Sequence, residues 1–250
     1  MDPFRFTTLA HADREILGPL SQPSLDAVLA AVTIMPMPGT RPAVLDVGCG
    51  KGAWLLRAME QFAATGTAIE PNPTFATMVR MRAMQRGLAR DLRLEMFPAA
   101  QVPLMPNSFD VALCVGSLHA FGGYRETLAA LGGLVRPGGC AVIGEGFWRR
   151  TPDPAYLAYF GEDESMMQTL EATLRTATDA GWQHITHHVS TQAEFDDYEH
   201  TYAASLRLAL QARPDDPDTE AFHARIEAHV DAYERWGHDS FGFVTMVLRR

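Results

Sequence analysis

From Ala43 to Gly146 short β-rich runs alternate with helical segments, and no other feature of the sequence constrains the fold as tightly. AVLDV is followed by a helix over Trp54 to Phe62, and GTAIE by a helix over Phe75 to Arg86. LRLEMF, FDVALCV, a helix over Tyr124 to Val135 and CAVIGEG come next. Parallel strands require a crossover between them, and a crossover helix packs back onto the sheet, so this rhythm implies a parallel sheet with helices on both faces. Beyond Thr151 the pattern changes. Glu162 to Ala180 reads as a helix and WQHITHHVS as a strand that extends the sheet. Two helical stretches then fill Gln192 to Trp236 around the loop RPDDPDTE, and FGFVTMVL is a final strand. Upstream, Leu25, Val28, Leu29 and Val32 recur at helical spacing behind Ser24, a candidate N-cap, and PMPGTRP ends that helix.

The stretch VLDVGCGKGAW places three glycines, Gly48, Gly50 and Gly52, at the end of the first strand of the alternation. Open α/β sheets bind ligands at the carboxyl edge of their strands, and glycines there let a ligand touch main chain. The spacing discriminates among ligands. A nucleotide P-loop needs a hydroxyl residue after its lysine, and Lys51 is followed by Gly52; a dinucleotide loop prefers G-x-G-x-x-G, and this one is G-x-G-x-G. Asp46 at the strand end can attract a cationic ligand group, and Glu70, about twenty residues past the loop, can accept ribose hydroxyls.

Four segments, VLDVGCGKG (44–52), AIEPNP (68–73), VPLMPNSFDVALCVGSLHAF (102–121) and LVRPGG (134–139), resemble in order and spacing those of class I S-adenosylmethionine-dependent methyltransferases. The resemblance implies a doubly wound, Rossmann-like, mostly parallel seven-stranded α/β sheet with an antiparallel last strand. It also implies S-adenosyl-L-methionine as cofactor, with Asp46, Gly48, Cys49, Gly50, Glu70, Pro71, Val115, Gly116 and Ser117 around it. Where many relatives carry an acidic residue near adenine this chain has Pro98, so Met96 and Phe97 become the candidates for apolar packing on that side. The single domain divides into an N-terminal helical cap (1–40), a cofactor-binding core (41–190), a helical lid insertion (191–237) and a final strand (238–250).

Methyl transfer from a sulfonium is an in-line displacement helped by alignment and desolvation, and a base is needed only for a protonated acceptor. His119, just past the fourth strand, is the first candidate, with bonding to loop backbone as its structural alternative. Glu145, flanked by two glycines, is the second, with pairing to Arg149 or Arg150 as its structural alternative. Trp148, Tyr198, Tyr202 and Trp236 are candidate substrate contacts from the fifth strand and the lid. His11 is a further candidate from the N-terminal segment, expected to form the opposite wall, with surface exposure as its alternative. His184 and His188 should share one strand face and His187 the other, which argues against a metal site. The acidic loop around Asp215 and Asp216 reads as a solvated connection.

With 250 residues, the chain can build one large core. Its net charge of -9 disfavours a general nucleic-acid binder. The start lacks a signal-peptide core and no stretch is long and apolar enough to span a membrane, which suggests a cytoplasmic protein. Cys49, Cys114 and Cys140 lack metal-type spacing and are expected to be reduced. These features lead to methyl transfer onto a small, at least partly apolar molecule, with a homodimer left open. An NAD-dependent oxidoreductase and a non-catalytic S-adenosylmethionine-binding module are the alternatives.

Overall fold

Seven strands form one sheet in the order β3-β2-β1-β4-β5-β7-β6. They are β1 (Ala43–Val47), β2 (Thr65–Ile69), β3 (Leu92–Glu95), β4 (Phe109–Val115), β5 (Val135–Trp148), β6 (Gln183–Val189) and β7 (Phe241–Arg249). The computed structural model describes residues 2–35 and 39–250. The first five strands are parallel, and β7 runs antiparallel between β5 and β6. Because β2 and β3 lie on one side of β1 while β4 and its successors lie on the other, the chain reverses its winding between β1 and β4. That switch point opens a crevice at the carboxyl ends of the two strands.

Strand alternation produces two cores. Val44, Val111, Leu113, Cys140 and Val142 face one layer, and Leu45, Val47, Ala112, Cys114, Ala141 and Ile143 face the other. Strands buried on both faces read as continuous apolar runs, which is why AVLDV and FDVALCV stand out in the sequence. Helices α1 (Arg5–Ala10), α2 (Gln22–Ala30), α3 (Ala53–Phe62), α4 (Pro73–Gln85) and α5 (Tyr124–Leu134) are followed by α6 (Pro154–Phe160), α7 (Leu170–Asp179), α8 (Gln192–Gln211) and α9 (Thr219–Ala232). Leu25, Val28 and Leu29 of α2 and Leu55, Leu56 and Met59 of α3 fill the first layer. Leu128 and Leu131 of α5 and Ala177 of α7 fill the second.

Several local expectations are corrected. The cap of α2 is Ser21, whose hydroxyl accepts the Ser24 amide at 3.3 Å; of the segment expected to end this helix, Pro36, Met37 and Pro38 lie outside the described residues. The expected helix over Glu162 to Ala180 starts at Leu170, because Thr169 caps it there, and α6 precedes it with Asp153 as cap and Pro154 in the first turn. In β6 the register shifts between His184 and Thr186, so the simple alternation fails: His184 and His187 come to one side, with ring nitrogens 3.1 Å apart. His188 instead meets Glu194 at 2.9 Å. The three cysteines are free and buried.

The N-terminal segment and the insertion before β7 form a single cap rather than opposing walls. Phe6 and Ala10 of α1 pack with Ala203, Leu206 and Leu210 of α8 and with Phe222 and Ile226 of α9. Arg5 pairs with Asp216 and Asp218, so the acidic loop is a fastening rather than a solvated connection. Arg14 pairs with Asp197 at 2.6 Å, and Ser205 donates to Asp13 at 2.9 Å. Lys51 binds the cap to the sheet: its ammonium donates to the carbonyl oxygens of His11 and Ala12 at 2.5 and 2.9 Å.

Candidate active site

A cavity of about 530 Å³ lies at the switch point, between the carboxyl ends of β1, β2 and β4 and the cap. Its floor is the glycine loop. Gly48 and Gly50 have φ of +68° and +54°, a region that costs any residue with a Cβ. Space is as limiting as angle: a Cβ on Gly48 would fall 2.3 Å from the Ser117 hydroxyl oxygen, and one on Gly50 would fall 2.6 Å from Leu17 Cδ1. The two glycines therefore let the loop close against β4 on one side and against the N-terminal segment on the other. Gly52, also at positive φ, is the N-cap of α3.

Two carboxylates define the polar end. Glu70 is anchored by the loop itself, one oxygen accepting the Gly50 amide at 2.8 Å and the other the Asn72 amide at 2.9 Å. Each oxygen keeps a lone pair for a further donor. Burial raises the Glu70 pKa, and the two backbone donors oppose that rise. Asp46 is 3% exposed, and its Oδ2 has no hydrogen-bond partner among the described residues. Burial, helped by the charge of Glu70, pushes its pKa up to about 8. An unpartnered buried carboxyl oxygen is costly unless a ligand donor or cation completes it. Burial also raises the Cys49 thiol far above its usual value, so it is no nucleophile at neutral pH.

Of the residues singled out in the sequence, Asp46, Gly48, Cys49, Gly50, Glu70, Pro71, Val115, Gly116, Ser117, His119, His11 and Tyr198 line this cavity. Met96 and Phe97 do not. They are 41% and 57% exposed, and the wall at that point is Pro98 and Ala99. Glu145 also stands away from the cavity, because strand parity groups it with Ile143 and Phe147, on the face of β5 that packs under α5. Its glycine neighbours serve packing instead: a Cβ on Gly144 would strike Val115 and Phe243, and one on Gly146 would strike Phe241 and Met167. Burial raises the Glu145 pKa to about 7, and Arg149 and Arg150 bond elsewhere, to Gln192 and Asp239.

Trp148 is 3% exposed and packs on Tyr156 and Phe241, its indole N–H donating to the Glu164 carbonyl at 2.9 Å. Trp236 joins the same cluster through Tyr156. Tyr202 shares a face of α8 with Tyr198, as their spacing requires, but one turn further along it packs against Phe6 and His11. These three residues are cap and core rather than cavity wall.

His11 is buried rather than at the surface. Burial pushes its pKa down to about 4, and Lys51 and Arg14 act in the same direction against the Thr7 carbonyl. Sequence reasoning missed Leu17, Asn72 and Phe75 in the wall. Asn72 had a signal, since an asparagine ahead of Pro73 is an N-cap pattern, and it caps α4 while donating to Thr8 at 2.9 Å. Leu17 had none, because its role depends on a contact with Gly50 that local sequence does not encode.

The comparisons with known proteins agree with this geometry. Residues 44–139 match the family model described as a methyltransferase domain. The chain is similar to the S-adenosylmethionine-dependent methyltransferase of Thiobacillus denitrificans, solved with S-adenosyl-L-homocysteine, with 25% identity, full coverage of both chains (100% and 100%) and a TM-score of 0.88. The corresponding enzyme of Geobacter sulfurreducens, also solved with S-adenosyl-L-homocysteine, gives 25% identity, 98% coverage of each chain and a TM-score of 0.87. The protein YjhP of Escherichia coli is 28% identical over 250 residues, 99% of each chain. With a methyltransferase domain over residues 44–139 and a switch-point crevice bearing two carboxylates, the chain is similar from end to end to S-adenosylmethionine-dependent methyltransferases.

Proposed function

We propose that this enzyme methylates a small, at least partly apolar acceptor enclosed with the cofactor in the switch-point cavity. The unpartnered Oδ2 of Asp46 carries the reading, because a buried carboxylate oxygen at the end of β1 fits a cationic ligand group. When bound, S-adenosylmethionine supplies a methyl group on a sulfonium. Glu70 would hold the ribose hydroxyls through its remaining lone pairs. Gly48, Cys49 and Gly50 would present main chain to the methionine and ribose portions, with Asp46 at the amino-acid end. Pro71, Val115, Gly116 and Ser117 would close the sides, and Pro98 and Ala99 would replace Met96 and Phe97 beside adenine.

The cavity volume falls in the range of small-ligand sites, roughly 300 to 1,000 Å³. Its roof is drawn from α1, the segment around Leu17 and α8, which suits exclusion of water and a substrate small enough to be surrounded. A net charge of -9 speaks against a nucleic-acid substrate. No helix among the described residues is long and apolar enough to cross a membrane, consistent with a cytoplasmic setting. In this reading α1 and the segment through Leu17 act with residues 191–237 as the cap, while α2, which falls within the cap of residues 1–40 expected from sequence, belongs to the first layer on the sheet. His119, on the wall past β4, is the candidate base for an acceptor that arrives protonated.

Calorimetric titration with S-adenosylhomocysteine and with NAD, followed by turnover of S-adenosylmethionine against varied acceptors, tests the proposal. Saturable binding of the homocysteine product and methylation of a small acceptor are expected. Binding of NAD alone would overturn it.

A further inference from the structure

Two features of the cavity wall bear on which acceptors the enzyme takes. First, His11 Nδ1 lies 2.9 Å from the Thr7 carbonyl oxygen. Thr7 Oγ1 lies 3.1 Å from the same nitrogen; a hydroxyl can accept or donate but a carbonyl only accepts, so the arrangement that satisfies both contacts puts the ring proton on Nδ1, and Nε2 of the neutral imidazole presents a lone pair. Tyr198 Oη stands 3.1 Å from Nε2, so the phenol donates its proton to His11. Tyr198 lines the cavity, and no described donor bonds its oxygen, whose lone pairs are left for a ligand. Second, the wall carries the carboxylates of Glu15, Asp46 and Glu70 and, among the described residues, no lysine or arginine. A phosphate or carboxylate on the acceptor has no proton to give the Tyr198 oxygen and finds no cationic lysine or arginine in the wall to pair with.

We propose that Tyr198, its proton fixed by His11, selects the acceptor: it takes a hydrogen bond from an uncharged or cationic O–H or N–H group, which assigns alcohols, phenols and amines as the substrate class. Phosphates, carboxylates and pure hydrocarbons are excluded by the same wall. Tyr198 is the specificity residue, and His11 is a positioning residue that prevents the phenol from turning its proton toward the ligand. The inference rests on the reading that this cavity holds acceptor and cofactor together.

The test uses the full chain loaded with S-adenosylhomocysteine, with phenol and anisole as probes, alike in ring but different in that only phenol donates. Affinities from chemical-shift titrations should show the phenol-to-anisole ratio falling roughly three- to tenfold in Tyr198→Phe, the loss of one hydrogen bond. S-adenosylhomocysteine affinity should stay unchanged in that variant. Tyr198→Phe removes a single oxygen and keeps the ring against Tyr202. Independently, long-range 1H–15N spectra of histidine-labelled wild type at neutral pH should show His11 as the Nδ1–H tautomer. An unchanged ratio, no saturable phenol binding to the loaded protein, or an Nε2–H or doubly protonated His11 overturns the inference. A tenfold or greater loss of S-adenosylhomocysteine affinity in Tyr198→Phe also overturns it, by assigning the hydroxyl to the cofactor. Failure of wild type to bind S-adenosylhomocysteine refutes the proposed function itself.

Discussion

Replacing Asp46 with asparagine should separate cofactor binding from proton release. Asp46 has an ordinary carboxylate pKa of 3.8, and burial beside Glu70 raises it to about 8 in the folded, ligand-free protein. Between those values the folded state holds a proton that the unfolded state has lost, so stability falls as pH rises through that window, on the order of 1 kcal/mol per pH unit. Above pH 8 both states are ionised and the dependence ends. Asp46→Asn should flatten this part of the profile and raise the stability of the ligand-free protein near pH 8 to 9. Binding reverses the preference, because a cationic ligand favours the carboxylate. At pH 7 a group of pKa about 8 is roughly nine-tenths protonated, so S-adenosylmethionine should release close to one proton from wild type. At pH 9 the release should fall to roughly a tenth. Calorimetry in buffers of different ionisation enthalpy reads this number as a slope. Asp46→Asn should bind at least tenfold more weakly with a slope near zero. A wild-type slope of zero at pH 7, or the same slope in the variant, would refute the reasoning.

Glu70→Gln should not be conservative, because an amide cannot accept from both Gly50 and Asn72; loss of one backbone partner and of ribose contacts should weaken S-adenosylhomocysteine binding by about 1 to 3 kcal/mol in a calorimetric titration. Gly48→Ala places a methyl against Ser117 at positive φ and should cost about 1 to 3 kcal/mol in urea unfolding, of which Ser117→Gly recovers only part. Lys51→Met removes the tie to His11 and Ala12, and limited proteolysis should then cut near the N-terminus first while the sheet stays intact; an unaltered cleavage pattern would count against that role. His119→Ala should lower turnover more than S-adenosylhomocysteine affinity, and equal losses would make it structural.

The sheet was legible because its strands are buried on both faces and so read as unbroken apolar runs between helical segments. The glycine-loop end of the cavity was legible for a related reason: Asp46, the glycines and Glu70 lie close in sequence, and Glu70 and Gly50 are joined by a local bond. The acceptor side was not. Trp148, Tyr202 and Trp236 carry the side chains a pocket would use, yet the same aromatic character suits a buried cluster, and only three-dimensional packing separates the two. The flanking glycines misled at Glu145: they suggested a ligand but accommodate Val115, Phe243, Phe241 and Met167. At β6 one register shift between His184 and Thr186 set His184 beside His187 rather than His188. The cap was hidden for another reason: Arg5 finds Asp216 and His11 finds Tyr198 across most of the chain's length.

A crystal structure of the full chain grown with S-adenosylhomocysteine tests the central claim most directly. The account predicts ligand density along the main chain of Gly48 and Gly50, ribose hydroxyls on Glu70 and the amino-acid end toward Asp46. Density confined to another surface, or a crevice closed by Leu17 and His11 with the ligand excluded, would contradict it.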